Sequence, residues 1–289
     1  MIGEALVDPF LDFGFMRRAL VGCVAVSLGA APVGIFLTLR RMSLMGDAIS
    51  HAVLPGVAVG FLLAGFSLFA MTAGGLVAGL AVALGAGALA RFTAQKEDMS
   101  LAALHLVSLA SGVAIVAVSG SNVDLMHVLF GSVLGLEDNA VLLLAAIATA
   151  SLVGLALLLR PLVLECFDPE YLRAVSGWSA PTHYGFLALV VLNLVGGFHA
   201  VGTLLAVGLM ILPAATARFW TREIGPMAAV AVGSAVVASF AGLLLSFHVG
   251  LPSGPAIVLA LGALYVASFA FGRHGSLAAR RTPAFHLEG

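Results

Sequence analysis

Nine stretches of the chain run for about 15–23 residues with almost no ionisable side chain, and each ends at a short polar break. The run at residues 68–90, "LFAMTAGGLVAGLAVALGAGALA", carries no charge at all. A helix of about 20 apolar residues matches the hydrocarbon thickness of a bilayer. In lipid every backbone N–H and C=O must be satisfied within the segment, so the runs are helices. We place them at 19–39, 49–65, 68–90, 101–119, 140–159, 186–200, 201–219, 227–247 and 255–271. The sixth and seventh are short and rich in Gly and Pro, which marks them as candidates for broken or re-entrant helices, so the count is eight or nine. The fold class is an all-α, polytopic membrane bundle. Composition agrees: 61% of the 289 residues are hydrophobic and only 9% charged, against about 25% charged in ordinary soluble domains.

Arginine and lysine in short loops set orientation. Nine spans place the loops at 40–41, 91–96, 160–173 and 218–222, together with the tail, on one side. That side holds 11 of the 13 basic residues; only Arg17 and Arg18 fall on the other. The tail, 273–289, is therefore expected in the cytoplasm. Residues 1–18 are expected to lie in the interface plane, and 19–272 form the membrane domain. The opening carries Glu4 and Asp8 instead of a basic leader, so no cleavable signal is expected. Cys23 and Cys166 offer neither a disulfide framework nor a metal signature. The 34 glycines and small-residue runs read as close helix packing.

The chain carries no machinery for chemistry of its own. Its one lysine, Lys96, follows "TAQ", so there is no Gly-rich phosphate loop. Neither H-E-x-x-H nor G-x-S-x-G occurs, and "PSGP" is a turn. The reading is a pathway rather than an enzyme.

Two local patterns stand out. The first is "GDAISHAVLPG" at 46–56, which puts Asp47 and His51 four residues apart, on one helix face, at the entrance to a span. The plain alternative is a helix start with a solvated first turn. Pro55 lacks an amide donor and frees the carbonyl of His51, so a kinked helix beside an acid and an imidazole makes a plausible cation path. The second lies in the polar interval 160–184. There Asp168 suits an N-cap, Pro169 the first helical position, and Gly177 the C-terminal stop. The resulting two-turn helix is too short to stand alone in water, so it packs on its own bundle or docks on a cytoplasmic partner. Asp124 and His127 form a further pair in an outer loop, where capping is the plainer reading. His105, His199 and His248 read first as packing or interface residues.

The motifs together resemble the permease subunits of bacterial ATP-binding-cassette importers for zinc and manganese. The resemblance rests on "LRRMSLMGDAISHAVLPGVAVGFLL", "DLMHVLFGSVLG", "FDPEYLRAVSG" and "AVGTLLAVGLMILPAATARFW", in the family's order and covering most of 39–220. It implies a homodimer in a bacterial inner membrane, two separate ATPase chains on the cytoplasmic face, and a periplasmic or lipid-anchored protein that delivers the metal. Membrane lipid is the surrounding partner, and no nucleic acid is expected. No cofactor is held permanently; the metal is cargo. Asp47 and His51 inherit the metal-path positions, with His199, Asp124 and His127 as weaker candidates because His199 and His127 depart from the family pattern. Phe167, Asp168, Pro169, Glu170, Tyr171, Arg173, Ala174 and Gly177 inherit ATPase coupling. Pro55, Pro213 and Thr216 inherit the gate or pathway. Imidazole leans the metal toward zinc, with manganese next. The rivals are a proton-coupled secondary metal transporter, an importer for a larger metal chelate or vitamin, and a membrane enzyme.

Overall fold

The computed structural model describes residues 2–93, 96–118 and 133–277. The Asp124–His127 pair and residues 278–289 lie outside them. Among the described residues all regular structure is helical. In chain order the helices are α1 (Ile2–Asp12), α2 (Gly14–Leu39), α3 (Met45–Ala52), α4 (Leu54–Ala64), α5 (Leu68–Phe92) and α6 (Glu97–Val118). After a 3₁₀ turn at Val133–Gly135 come α7 (Asp138–Phe167), α8 (Pro169–Val175), α9 (Ser179–Val201), α10 (Thr203–Ala217), α11 (Ile224–Val249) and α12 (Ser253–Phe271).

Among the described residues eight helical segments are long and apolar enough to cross a membrane, counting α3 and α4 together. The ninth apolar helix is α10, whose 15 residues span only about 22 Å at 1.5 Å per residue. It is thus shorter than a bilayer core of about 30 Å. The seventh run is short, as expected. The sixth is not: α9 begins at Ser179 and is a continuous 23-residue helix. Its polar first turns, "SAPTHY", hid it from a hydropathy reading. The helix that breaks is the second span, interrupted at Val53 between α3 and α4.

α2 lies at the centre, buried through most of its length against α7, α10 and α11. Small residues make this possible. A Cβ on Gly34 would overlap the carbonyl of Met210 in α10, and one on Gly56 would overlap the carbonyl of Gly74 in α5. Backbones meet where side chains are absent, as expected in lipid, where no hydrophobic effect drives association. The first span starts at Gly14 rather than residue 19, and α1 is held to the bundle. Phe10 stacks on Phe240 with ring centroids 5.0 Å apart, and Phe13 meets Phe247 at 5.5 Å.

Contacts between helix ends group them by side of the bundle. Arg18 near the start of α2 lies 3.6 Å from Asp138 at the start of α7. At the opposite end, Arg40 closing α2 meets Glu165 near the end of α7 and His183 near the start of α9. The backbone N–H of His274, after α12, donates to the carbonyl of Phe219, after α10, at 2.8 Å.

Candidate metal site and docking helix

The approach to Asp47 is fixed by how α2 ends. The N–H of Met42 donates to the carbonyl of Leu37 at 2.9 Å, and that of Arg41 to Thr38 at 3.3 Å. This is the paired bonding of a Schellman stop, with its left-handed position held by Arg41 at φ 60° instead of a glycine. A non-glycine residue adopts that conformation at a cost of about 1 kcal/mol or more. The chain then reverses within five residues and α3 begins.

One face of α3 is buried through Met45, Gly46, Ile49 and Ala52. A Cβ on Gly46 would come within 3.3–3.5 Å of Ile211 and Val207, so α3 lies close on α10. Asp47 and His51 occupy the other face. Asp47 Oδ1 lies 3.8 Å from His51 Nε2, and the two side chains are 73% and 42% exposed. The Ser50 hydroxyl donates to the carbonyl of Asp47 at 2.7 Å, which sets it between them. All three open on a cavity of about 470 Å³ lined on the far side by Thr203, Val207 and Ile211 of α10 and Val258 of α12. Polar groups at one end and aliphatic walls elsewhere fit a small cation passing its ligands.

The interruption after α3 puts the pair on a short helix of its own. Pro55 enters the first turn of α4, as its missing N–H allows. The carbonyl with a partner from outside is that of Ala52, not His51: the hydroxyl of Ser108 in α6 donates to it at 2.6 Å. Thr203 and Ser108 carry no local signal, since only the packing of α3 on α10 and α6 brings them in, whereas Ser50 lies on α3 itself within the same four-residue spacing.

Among the described residues no group of three or more His, Cys, Asp and Glu side chains is arranged to hold a metal ion. One chain thus offers one carboxylate and one imidazole here, short of the four ligands that transition metals commonly take. Pro55, Pro213 and Thr216 do not line the Asp47 cavity; Pro213 and Thr216 are buried in α10. His199 is placed by its backbone in the last turn of α9. His105 and His248 bond to the carbonyls one turn earlier, at 3.2 and 2.9 Å, as packing residues do.

In the polar interval 160–184 the predicted helix forms as α8. Asp168 caps it, its carboxylate accepting from the Tyr171 N–H at 2.9 Å, and Pro169 takes the first position. Gly177 does not provide the stop. The C-cap is Ser176 in an extended conformation, and Gly177 in the turn that follows does not take a left-handed φ. Leu172 alone in α8 is buried; Phe167, Tyr171, Val175 and Trp178 are exposed around it. The helix therefore packs on the bundle through one leucine and leaves an aromatic surface outward.

The model of a family described as the ABC 3 transport family matches residues 12–272. The manganese import system permease protein ScaB of Streptococcus parasanguinis is 35% identical over 269 residues, covering 93% of this chain and 94% of its own. A probable iron transport system membrane protein of Haemophilus influenzae is 33% identical, covering 93% and 97%. The solved structure of PsaBC from Streptococcus pneumoniae in complex with Fab matches with a TM-score of 0.83 at 31% identity, over 98% of this chain and all of that one. These names are of manganese and iron, and they give the lean toward zinc no support. The reason is chemical: zinc outranks manganese at nearly any N/O donor set, so ligand softness ranks affinities without telling which metal is carried.

Proposed function

The chain belongs to the ABC 3 transport family, and on that premise we propose that it is the membrane permease of an ATP-driven importer. Its cargo is a divalent first-row metal, manganese first and iron next, brought into the cytoplasm across a bacterial inner membrane. Two copies assemble about a two-fold axis, each bringing one Asp47 and one His51, and the four donors together make a transit site. Carboxylate and imidazole both suit manganese and iron.

The observation that carries this reading is Asp47 itself. It sits in a membrane-spanning segment with 73% of its side chain exposed. A carboxylate is not left facing hydrocarbon, so it faces water in a pathway or a second copy of the chain. Its cavity meets the pair with Thr203 and with aliphatic side chains of α10 and α12, so the charged donor there is Asp47. ATP hydrolysis belongs to a separate chain that seats α8 in a groove, and a binding protein delivers metal from outside.

Reconstitution tests the reading. The chain, its ATPase and its binding protein in proteoliposomes should accumulate manganese only when ATP is supplied on the ATPase side. Accumulation driven by a proton gradient without ATP would identify a secondary transporter instead.

A further inference from the structure

One end of the bundle holds a group of ionisable side chains, outside the lining of the Asp47 cavity, that the transport reading leaves unassigned. Arg40 closes α2, Glu165 lies in the last turn of α7, His183 is near the start of α9, and Glu97 opens α6. The side chains of Arg40, Glu165 and His183 keep only 11%, 5% and 9% of their exposure. Arg40 Nη2 lies 2.6 Å from His183 Nδ1. Arginine has no acceptor, so the guanidinium donates and Nδ1 accepts. The ring proton is then on Nε2, which faces Glu97 Oε1 at 3.2 Å. The guanidinium also lies over the Phe186 ring, 5.1 Å from its centroid.

Burying charges this deeply is a poor way to stabilise a bundle, because desolvation offsets most of the attraction. The pair of opposite charges is also incomplete. Glu165 Oε1 stands 3.7 Å from Arg40 Nη2, where a charge-assisted bond closes at about 2.7–2.9 Å. Arg40 Nη1 and Glu165 Oε2 are both buried without a hydrogen-bond partner. Unpaired groups of this kind are rare in native interiors and ask for a reason. A movement of about 1 Å would bring Arg40 Nη2 and Glu165 Oε1 from 3.7 Å to bonding distance, so the pair has an open arrangement, seen here, and a closed one within reach.

Its position gives that movement consequences. Glu165 lies three residues before Asp168, the cap of α8, and the Asp168 N–H continues the bonding of α7 by donating to Leu164 at 2.8 Å. A push on α8 is therefore carried to Glu165 along helical backbone. Arg40 stands on the other side of the gap. Immediately after it comes the left-handed Arg41 and the turn that aims α3. A cavity of about 500 Å³ opens beside this contact, bounded by Arg40, Glu165 and His183 and also by Pro169 and Arg173 of α8. Glu165 and Arg40 are far apart in sequence, yet their contact is the short route from α8 to α3.

We propose that Arg40 and Glu165, seated on His183, are positioning residues that relay movement of the ATPase-docking helix α8 to the Asp47–His51 helix α3. The relay rests on the importer reading above. Closing the pair draws Arg40 toward α7, turns the Schellman reversal and re-aims α3. The relay works on two discrete arrangements of one contact, which is what energetic coupling between distant sites requires.

The test uses the complete permease–ATPase–binding-protein complex in proteoliposomes with manganese chloride. Wild type is compared with Glu165→Gln and with the double variant Arg40→Gln/Glu165→Gln. The single variant strands a buried arginine and should lose thermal stability. The double variant leaves no stranded charge and should recover it. Both should hydrolyse ATP within about twofold of wild type, while manganese moved per ATP falls about tenfold, an ordinary size for a coupling free energy. A merely structural role predicts the reverse for the double variant, with stability and the manganese-to-ATP ratio restored together. That result overturns the relay, and so does a double variant that no longer assembles with the ATPase, which would assign the group to holding the bundle. If wild type itself moves no manganese per ATP, the importer reading falls and the relay with it.

Discussion

The hydroxyl of Ser108 donates to the carbonyl oxygen of Ala52 at 2.6 Å, and this one bond from α6 satisfies the backbone where α3 stops and α4 has yet to start. A broken helix at membrane depth needs such a donor, because lipid offers none.

Ser108→Ala removes it. Hydrogen bonds measured within membrane bundles average about 0.6 kcal/mol and reach about 1.7, so a loss within that range is expected. Ser111→Ala is the control, since its hydroxyl bonds only to the carbonyl three residues back in its own helix. Thermal unfolding in detergent compares the two. Equal losses would show that the break is held by something else.

Gly34 should tolerate nothing larger. Its missing Cβ is the space taken by the Met210 carbonyl, where α2 and α10 touch. Gly34→Ala must push α10 away from the central helix, and the yield of monodisperse protein should collapse. Gly233→Ala, on α11 with nothing within 4 Å of the new Cβ, should behave as wild type. A normal yield for Gly34→Ala would mean that the two helices separate easily.

These contacts mark what the sequence could and could not show. Spans were legible because lipid forces each apolar run into a helix, whatever it packs on. The Asp47–His51 pair was legible because four-residue spacing is a local property. The same holds for Asp168, whose carboxylate reaches an N–H three residues on. Ser179–Thr182 were not read as helix, because hydropathy reports contact with lipid and those residues sit at the polar end. Gly177 is not the stop because the turn after α8 is made without a left-handed residue, and glycine marks a helix end only where that conformation is needed. Arg40 and His183 stand 143 residues apart, and no local pattern announces a meeting at that range.

The cap of α8 gives a further prediction. Asp168→Ala should cost about 0.5–2 kcal/mol of helix stability, enough to fray a seven-residue helix held inward by Leu172. The ATPase should then co-purify weakly while the permease stays folded. Ala174→Glu, on the exposed surface of the same helix, should weaken the complex without touching the cap. Full recovery of an ATPase complex stimulated by metal from either variant would remove α8 from the docking surface.

The last prediction concerns Asp47 and His51 directly. A cation crossing the bundle must exchange water for ligands, and the cavity wall opposite the pair is mostly aliphatic. Asp47 supplies charge and His51 a neutral nitrogen, both on a helix that α10 packs and Ser108 tethers. Asp47→Asn keeps the size and removes the charge; His51→Leu removes the donor. Because both side chains are substantially exposed in the single chain, neither change opens a core cavity, and stability should change by less than about 0.5 kcal/mol. Manganese uptake should nonetheless be abolished in each, with ATPase binding and basal ATP hydrolysis near normal. Cellular manganese measured by elemental analysis, in a strain lacking its own importers, reads the result. Wild-type accumulation in either variant would reduce the pair to the solvated first turn of a helix and move the path elsewhere in the bundle.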